Sequence, residues 1–292
     1  MTDRGVREFG MQTIQYWTWE ETRERWIWFE DLGFESLWLT DHFVRTAQPE
    51  SPYFEAWTLL SALAGVTRNA RLGVLVSSNT FRHPSLLAKQ AVTLDHISGG
   101  RLELGIGAGW FQPEHEMFGL EFPPTGELVD RYEEAIDLLD RYLRNDITSF
   151  EGAYYSLKHA PNRPTPVQQP RIPFVLGAHK PRMIRLAARY ADTWNSRGTP
   201  GEIRDRNDLL DESCVEEGRD PKEIKRSLLY VIAQMTDERP WDSIDAFEDF
   251  VGRFTEAGMQ EFIFQPPDPE HYAIVERIAT DVMPRLRGSD TA

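Results

Sequence analysis

The stretch from Arg71 to Trp110 constrains the fold more than any other part of the chain. Residues 72–76 and 102–106 are short runs rich in Val, Ile and Leu, which predict strands buried on both faces. Pro84 suits the first turn of a helix, residues 85–97 have helical spacing, and Gly99–Gly100 predicts the helix end. Because a crossover helix joins them, the two strands are predicted to be parallel, as in a β-α-β unit.

Strand and helix predictions alternate through most of the remaining chain. The other predicted strands cover residues 7–15, 36–40, 174–176, 192–195, 224–234 and 261–265. The first helix opens at a capping box formed by Thr18 and Glu21 and ends at Gly33. The other predicted helices cover residues 54–66, 127–143, 181–190, 202–217, 244–257 and 271–286. Eight strand–helix pairs predict an α/β fold of the (β/α)8 TIM-barrel type, with a doubly wound open sheet as the alternative.

One segment interrupts this alternation before the fifth strand. Residues 111–126 are predicted to be irregular, and residues 147–157 to form a hairpin with Glu151–Gly152 at its turn. The proline-rich residues 161–173 predict an extended loop. The hairpin and the loop together form an insertion in the barrel. Because there is neither an internal repeat nor a linker, residues 1–292 are predicted to form a single domain.

Charge and composition exclude several classes of function. The formal net charge of −15 argues against nucleic acid as a partner, because phosphate binding depends on clustered Lys and Arg. Cys214 is the only cysteine, so neither a disulfide framework nor a thiolate metal site is predicted. His115–Glu116 begins like a zinc motif, but Gly119 stands at the second His position, and we predict no metal site. With no signal layout and no apolar run of membrane-spanning length, the sequence predicts no membrane association and a cytoplasmic location.

Asp41–His42 follows the second predicted strand directly, at the edge where parallel α/β folds bind ligands. His42 suits proton transfer near neutral pH, and Asp41 suits hydrogen bonding to a ligand or ring. A satisfied polar pair at the start of a loop remains an equally good interpretation of these two residues. Polar and small residues also follow the next two strands, namely Ser77, Ser78, Asn79, Gly107, Ala108 and Gly109.

Two glycine-containing segments deserve separate interpretation. Residues 105–110 do not match a dinucleotide fingerprint, because Trp110 occupies the position of the third glycine. Small residues there let a flat ring approach the backbone closely. Residues 177–180 precede a helix, whose N-terminus attracts phosphate, with Lys180 and Arg182 nearby. An ordinary strand–helix turn remains the alternative for this second segment.

Four separated runs of the sequence resemble the bacterial-luciferase-like enzymes. They are LGFESLWLTDHF (32–43), RLGVLVSSNTFRHPSLLAK (71–89), ISGGRLELGIGAGW (97–110) and PFVLGAHKPRMIRLAARYADTWN (173–195). The resemblance is greatest to the branch of deazaflavin-dependent oxidoreductases that use coenzyme F420. It covers most of the chain, including the insertion, and the four runs occur in the family's order.

This resemblance implies a (β/α)8 barrel that binds a reduced flavin or deazaflavin at its carboxyl face. It places Asp41 at the ring and His42 near the reacting carbon, and it implies a non-proline cis peptide at Leu75–Val76 or Val76–Ser77. The residues implied to line the ring and its ribityl chain are Val76, Ser77, Ser78, Asn79, Gly107, Ala108 and Gly109, whereas Gly177, Ala178 and His179 would hold the phosphate. We expect Gln15, Trp17, Trp110 and Trp194 to line the substrate pocket.

The function implied is hydride transfer between reduced F420 and a small organic substrate, with His42 as the acid/base and a homodimer as the assembly. One alternative is an FMNH2-dependent monooxygenase, because many family members bind FMN in nearly the same place. A flavin-binding protein without turnover is the other alternative. Trp110 stands where some family members carry a proton-donating carboxylate, so that role is unfilled here, while Arg82–His83–Pro84 favours the deazaflavin branch by resemblance.

Overall fold

A computed structural model describes residues 7–287 of the chain. The helices are α1 (Trp19–Asp31), α2 (Ala56–Val66), α3 (Pro84–Ser98), α4 (Gln112–Phe118), α5 (Thr125–Arg144), α6 (Pro181–Tyr190), α7 (Pro200–Glu216), α8 (Ile244–Glu256), α9 (Tyr272–Arg277) and α10 (Met283–Leu286). The predicted capping box opens α1, because the Glu21 N–H donates to the Thr18 hydroxyl and Glu21 accepts from the Thr18 N–H. Gly99 ends α3 in the left-handed conformation, at φ 66°, as glycine at a helix end readily does.

The described residues fall into two compact units, one of which comprises residues 7–13, 24–38 and 178–287. Its strands are β1 (Glu8–Gln12), β2 (Ser36–Leu39, whose last residue belongs to the other unit), β9 (Thr193–Ser196), β10 (Lys225–Tyr230) and β11 (Glu261–Phe264). They pair in parallel as β2–β1, β1–β11, β11–β10 and β10–β9. We call this part the Arg197 unit.

The second unit comprises residues 14–23 and 39–177, and we call it the His42 unit. Its parallel strands are β3 (Arg71–Val74), β4 (Ser77–Ser78), β5 (Leu102–Gly107) and β8 (Phe174–Gly177). Strand β5 pairs with β3, β4 and β8. All six residues of β5 are buried, as expected for a strand covered on both faces.

The strands alternate with helices along the chain and form a nine-stranded sheet in the order β3-β2-β1-β11-β10-β9-β8-β5-β4, with β3 also paired to β5. The chain is therefore a (β/α)8 barrel, and the predicted fold class is confirmed, while the open-sheet alternative is wrong. That residues 1–292 form one domain stays a prediction. No helix within residues 7–287 is long and apolar enough to cross a membrane.

Several element boundaries differ from the predictions. The third predicted strand stops at Val74, and residues 77–78, expected just beyond it, form the short strand β4. Residues 111–126 are not irregular throughout, because α4 occupies part of them with Pro113 in its first turn and Gly119 as a left-handed C-cap. The last predicted helix is divided by a π-helical turn at Ile278–Val282.

The predicted insertion is present, and two carboxylates hold it in place. The hairpin consists of antiparallel strands β6 (Ile147–Glu151) and β7 (Ser156–Pro161), and β7 runs past the predicted end at residue 157. Glu134 of α5 accepts N–H bonds from three consecutive residues of the turn, 153–155. Asp95 of α3, which is fully buried, accepts the N–H groups of Val167 and Gln168 in the proline-rich loop.

The Leu75–Val76 peptide bond is cis, which confirms the first of the two implied positions. The Val76 side chain lies against three glycines of β5 and β8. A Cβ added at Gly107 would come within 2.5 Å of Val76, and one at Gly105 within 2.0 Å of the Val74 carbonyl oxygen. Glycine is therefore required at both positions of β5 by close approach.

Candidate functional site

Asp41 and His42 follow β2 after a single residue, Thr40, and belong to the His42 unit. The Asp41 carboxylate is buried and accepts two bonds from the Arg82 guanidinium, at 2.6 and 2.9 Å. It also accepts the Ser78 N–H of β4 at 2.6 Å. This bidentate pair is the strong form of a charge-assisted bond, and it fixes the start of the loop relative to β4. Arg82 was singled out only by resemblance, and its role as the counter-ion of Asp41 was not predicted.

His42 contacts a second carboxylate that the sequence analysis missed. Its Nδ1 lies 2.9 Å from Oε2 of Glu114, a fully buried residue of α4. The other Glu114 oxygen accepts the backbone N–H groups of Phe43 and Val44. A carboxylate only accepts, so Nδ1 carries the hydrogen and Nε2 is the nitrogen left for a ligand. Among the described residues, Nε2 makes no hydrogen bond.

Aromatic rings surround the His42 imidazole on its α4 side. Trp110 and Phe111 both meet it edge to face, with ring centroids 5.7 and 6.2 Å away. Trp110 is 64% exposed, which is unusual for so large an apolar side chain. That Trp110 forms a wall for the substrate stays a prediction.

The two serines of β4 present opposite hydrogen-bonding polarity. The Ser77 hydroxyl accepts from the Trp57 indole N–H at 3.2 Å and so keeps its own hydrogen for donation. Ser78 is joined to Thr80 at 2.7 Å, and Thr80 to His115 Nε2 at 2.6 Å. Because His115 Nδ1 bonds the Phe111 carbonyl at 2.9 Å, a neutral His115 can only accept through Nε2. The chain then runs Ser78 to Thr80 to His115, which leaves the Ser78 oxygen as an acceptor.

Asn79 faces the insertion. Its side-chain amide donates to the Tyr155 hydroxyl at 3.0 Å, and Tyr155 belongs to the hairpin turn that Glu134 holds. Burial raises the pKa of Tyr155, so this hydroxyl stays protonated at neutral pH. Both residues line a cavity of about 260 Å³, together with Thr80, Phe81, Arg82, His83, Glu121, Pro123, Leu128 and Arg131. The hairpin therefore contributes directly to the wall beside β4.

A cluster of cationic side chains lies in the Arg197 unit, where His179 precedes α6. His179 Nδ1 and an Arg206 nitrogen approach the Ser196 hydroxyl, at 3.0 and 3.4 Å. Burial, with the charges of Arg197, Arg206 and Lys180, lowers the pKa of His179 to about 4. Burial and Arg206 also lower the pKa of Arg197. This clustering of positive charge in an acidic protein makes the segment a candidate anion site.

The remaining predicted site residues differ in how well they suit a pocket. Gln15 is fully buried, and its amide bonds Thr40 and Tyr53 on both sides. Trp194 is also fully buried, and its indole donates to the Ala178 carbonyl at 3.0 Å. Gln15 braces the loop and Trp194 braces the segment before α6, and that the two residues line the substrate pocket stays a prediction. Trp17 is partly exposed and packs against Tyr16.

Comparison with known proteins places the chain in a family. Residues 7–281 match the model of the family described as luciferase-like monooxygenase. An F420-dependent glucose-6-phosphate dehydrogenase of Microbacterium testaceum is 26% identical, over 88% of this chain and 90% of that protein.

Solved structures show the same fold. An F420-dependent secondary alcohol dehydrogenase in complex with an F420–acetone adduct has a TM-score of 0.84 at 18% identity, over 97% of this chain and 100% of that chain. The oxygenating constituent of 3,6-diketocamphane monooxygenase from Pseudomonas putida, in complex with FMN, has a TM-score of 0.75 at 16% identity, over 96% of this chain and 99% of that chain. With the family model matching nearly the whole chain, the protein belongs to the luciferase-like monooxygenase family.

Proposed function

We propose that this protein is an F420-dependent oxidoreductase that interconverts an alcohol and a carbonyl compound. The observation that carries the proposal is the His42–Glu114 contact beside the exposed face of Trp110, because it provides a proton-transfer group at a strand's carboxyl end. The similarity to an F420-dependent dehydrogenase over most of both chains supports the cofactor.

Each unit, taken by itself, holds residues that suit a chemical group of such a cofactor. In the His42 unit, Gly107 and Gly109 place no side chain at the end of β5, and the Ser77 and Ser78 hydroxyls offer a donor and an acceptor. A flat heterocycle with ring N–H and carbonyl groups needs such a surface. In the Arg197 unit, the cluster around His179 suits a phosphate. Gly177, Ala178 and His179 remain our proposed phosphate ligands, with Arg197 and Arg206 added to them.

When bound, the deazaflavin supplies or accepts the hydride. His42 accepts the hydroxyl proton through Nε2 as the alcohol carbon loses its hydride, and it returns that proton to the carbonyl oxygen in the reverse reaction. Trp110 and Phe111 restrict water around the imidazole and hold its plane. Asp41 accepts hydrogen bonds from Arg82 and from the Ser78 N–H, and so it holds the His42 loop against β4.

The experiment is a pair of binding titrations, with F420 and with FMN, followed by anaerobic turnover. We expect F420 to bind more tightly, and secondary alcohols or ketones to change the redox state of the bound cofactor without oxygen. Tight binding of FMN alone, with substrate oxidation that consumes oxygen, would instead establish the monooxygenase alternative. Binding without turnover across a panel of alcohols, aldehydes and ketones would reject the proposed reaction. Homodimerisation and a cytoplasmic location stay predictions.

A further inference from the structure

The environment of Glu114 is unusual for a carboxylate. The residue is fully buried on the short helix α4, and no Lys or Arg within residues 7–287 forms an ion pair with it. Its hydrogen-bond partners are two backbone N–H groups and the His42 imidazole. Burial of a carboxylate without a cation costs several kcal/mol, roughly, unless hydrogen bonds compensate for lost hydration. The fold keeps this charge where it can act on His42.

We infer that Glu114 is a positioning residue that acts through His42. Its carboxylate fixes the Nδ1–H tautomer, so that Nε2 is the nitrogen that exchanges a proton with the substrate. Its negative charge stabilises the imidazolium formed when His42 takes the hydroxyl proton. This inference rests on the acid/base role proposed for His42.

Other charged groups near His42 do not supply this effect. The adjacent Asp41 is neutralised by Arg82, which bonds both of its oxygens. Trp110 and Phe111 pack against the ring and carry no charge. Glu114 is thus the negative group in direct contact with the imidazole, and the proton balance of His42 depends on it.

Replacement by glutamine separates this role from a purely structural one. In Glu114→Gln, the amide oxygen still accepts from Phe43 and Val44, while the charge is removed. The amide nitrogen then faces Nδ1 and favours the opposite tautomer. The matched control is Glu116→Gln, because Glu116 is an exposed residue on the same helix and its carboxylate accepts a hydrogen bond from Gln112.

The test uses the holoenzyme and measures kcat against pH for the wild type and both variants. We expect Glu114→Gln to lower kcat by about 10-fold to 100-fold, the range found when the partner that orients a metal-binding imidazole is removed. The part of the kcat–pH profile that depends on His42 (the His42 limb) should have its midpoint at lower pH, since the imidazolium loses its counter-charge. F420 affinity should stay unchanged, and Glu116→Gln should match the wild type. An unchanged limb in a folded Glu114→Gln variant would overturn the inference.

Two further measurements keep the inference falsifiable if Glu114→Gln does not fold. Nitrogen-15 NMR of the histidine-labelled wild type should show His42 as the Nδ1–H tautomer at high pH, and an Nε2–H tautomer would overturn the inference. A Glu114→Asp variant keeps the negative charge, so the pH midpoint of its kcat profile should stay near that of the wild type.

Where Glu114→Gln does fold, it should cause no further loss of kcat in a His42→Asn background, because the effects of residues that act as a unit are non-additive. Full activity of His42→Asn alone would reject the proposed function as well, whereas a slow His42→Asn beside a normal Glu114→Gln would reject only the role of Glu114.

Discussion

Two histidines of this protein lie in opposite electrostatic surroundings. His42 rests against the buried Glu114 carboxylate, whereas His179 lies among Lys180, Arg197 and Arg206. A neighbouring anion favours the imidazolium, and neighbouring cations together with burial favour the neutral ring. The same side chain is therefore suited to proton exchange in the His42 unit and to neutral hydrogen bonding beside an anion in the Arg197 unit. Neighbouring charge, more than residue type, decides what each imidazole can do.

His115 provides a third case within the His42 unit. It is almost fully buried between Phe81 and Phe122, and both of its ring nitrogens are used within the protein, by the Phe111 carbonyl and the Thr80 hydroxyl. No nitrogen remains for a substrate. His115 orders the Thr80 and Ser78 hydroxyls, while its neighbour in sequence, Glu114, serves His42.

The largest effect is expected from His42→Asn. Removing the acid/base should lower kcat about 10²-fold to 10⁴-fold, because proton transfer by a positioned side chain contributes that much. F420 affinity should change little, since His42 is proposed to act on the substrate's hydroxyl proton. Steady-state kinetics and a fluorescence titration measure the two quantities. His271→Asn, at an exposed histidine, is the control, and a comparable loss of F420 affinity in His42→Asn would show that His42 is a binding residue instead.

Substitution in the Arg197 unit should produce the reverse pattern. Arg197→Met removes one cation of the cluster, and loss of one hydrogen bond to a charged group costs about 1.5–3 kcal/mol, or roughly 10-fold to 100-fold in affinity. We expect the F420 Kd to rise by that factor while kcat at saturating cofactor stays near the wild type. Arg185→Met removes an equal charge from the exposed face of α6 and should leave Kd unchanged. Equal effects of the two variants would mean that Arg197 acts only through the long-range field.

Sequence alone predicts the barrel well and the partners of its functional residues poorly. Strand and helix periodicity is a local property of the sequence, so it predicts the β-α-β unit from Arg71 to Trp110. The cis bond at Leu75–Val76 is predicted by the family resemblance alone. Glu114 lies 72 residues from His42 and within a stretch predicted to be irregular, so no local pattern joined the two. Arg197 could have been found, because it is a cation directly after a strand's carboxyl end.

The acid stability of the protein should report the surroundings of His179. Its pKa is lowered from 6.5 to about 4 in the folded protein, so between these values the unfolded chain binds a proton that the folded protein does not. His179 therefore does not reduce the free energy of unfolding above pH 6.5. As the pH falls from 6.5 towards 4, it lowers that free energy by at most about 3 kcal/mol. We expect His179→Gln to lose less Tm between pH 7 and pH 4.5 than the wild type. Inorganic phosphate should reduce the loss of Tm in the wild type, because an anion favours protonated His179. An equal loss of Tm in the wild type and in His179→Gln would contradict the prediction.

The smallest effect is expected from ionic strength, and it distinguishes the two surroundings without mutation. Salt screens exposed charges over a Debye length of about 8–10 Å near physiological ionic strength, but it screens a buried pair much less. Lys180 is exposed and Arg197 and Arg206 are partly exposed, so F420 affinity should fall severalfold between low salt and about 0.5 M salt. The Glu114 carboxylate is fully buried, so kcat at saturating F420 and its pH limb should hardly move. If the pH dependence of kcat changed with salt, mobile ions would be reaching the His42–Glu114 contact. His42 and His179 would then differ only in how exposed their charged neighbours are.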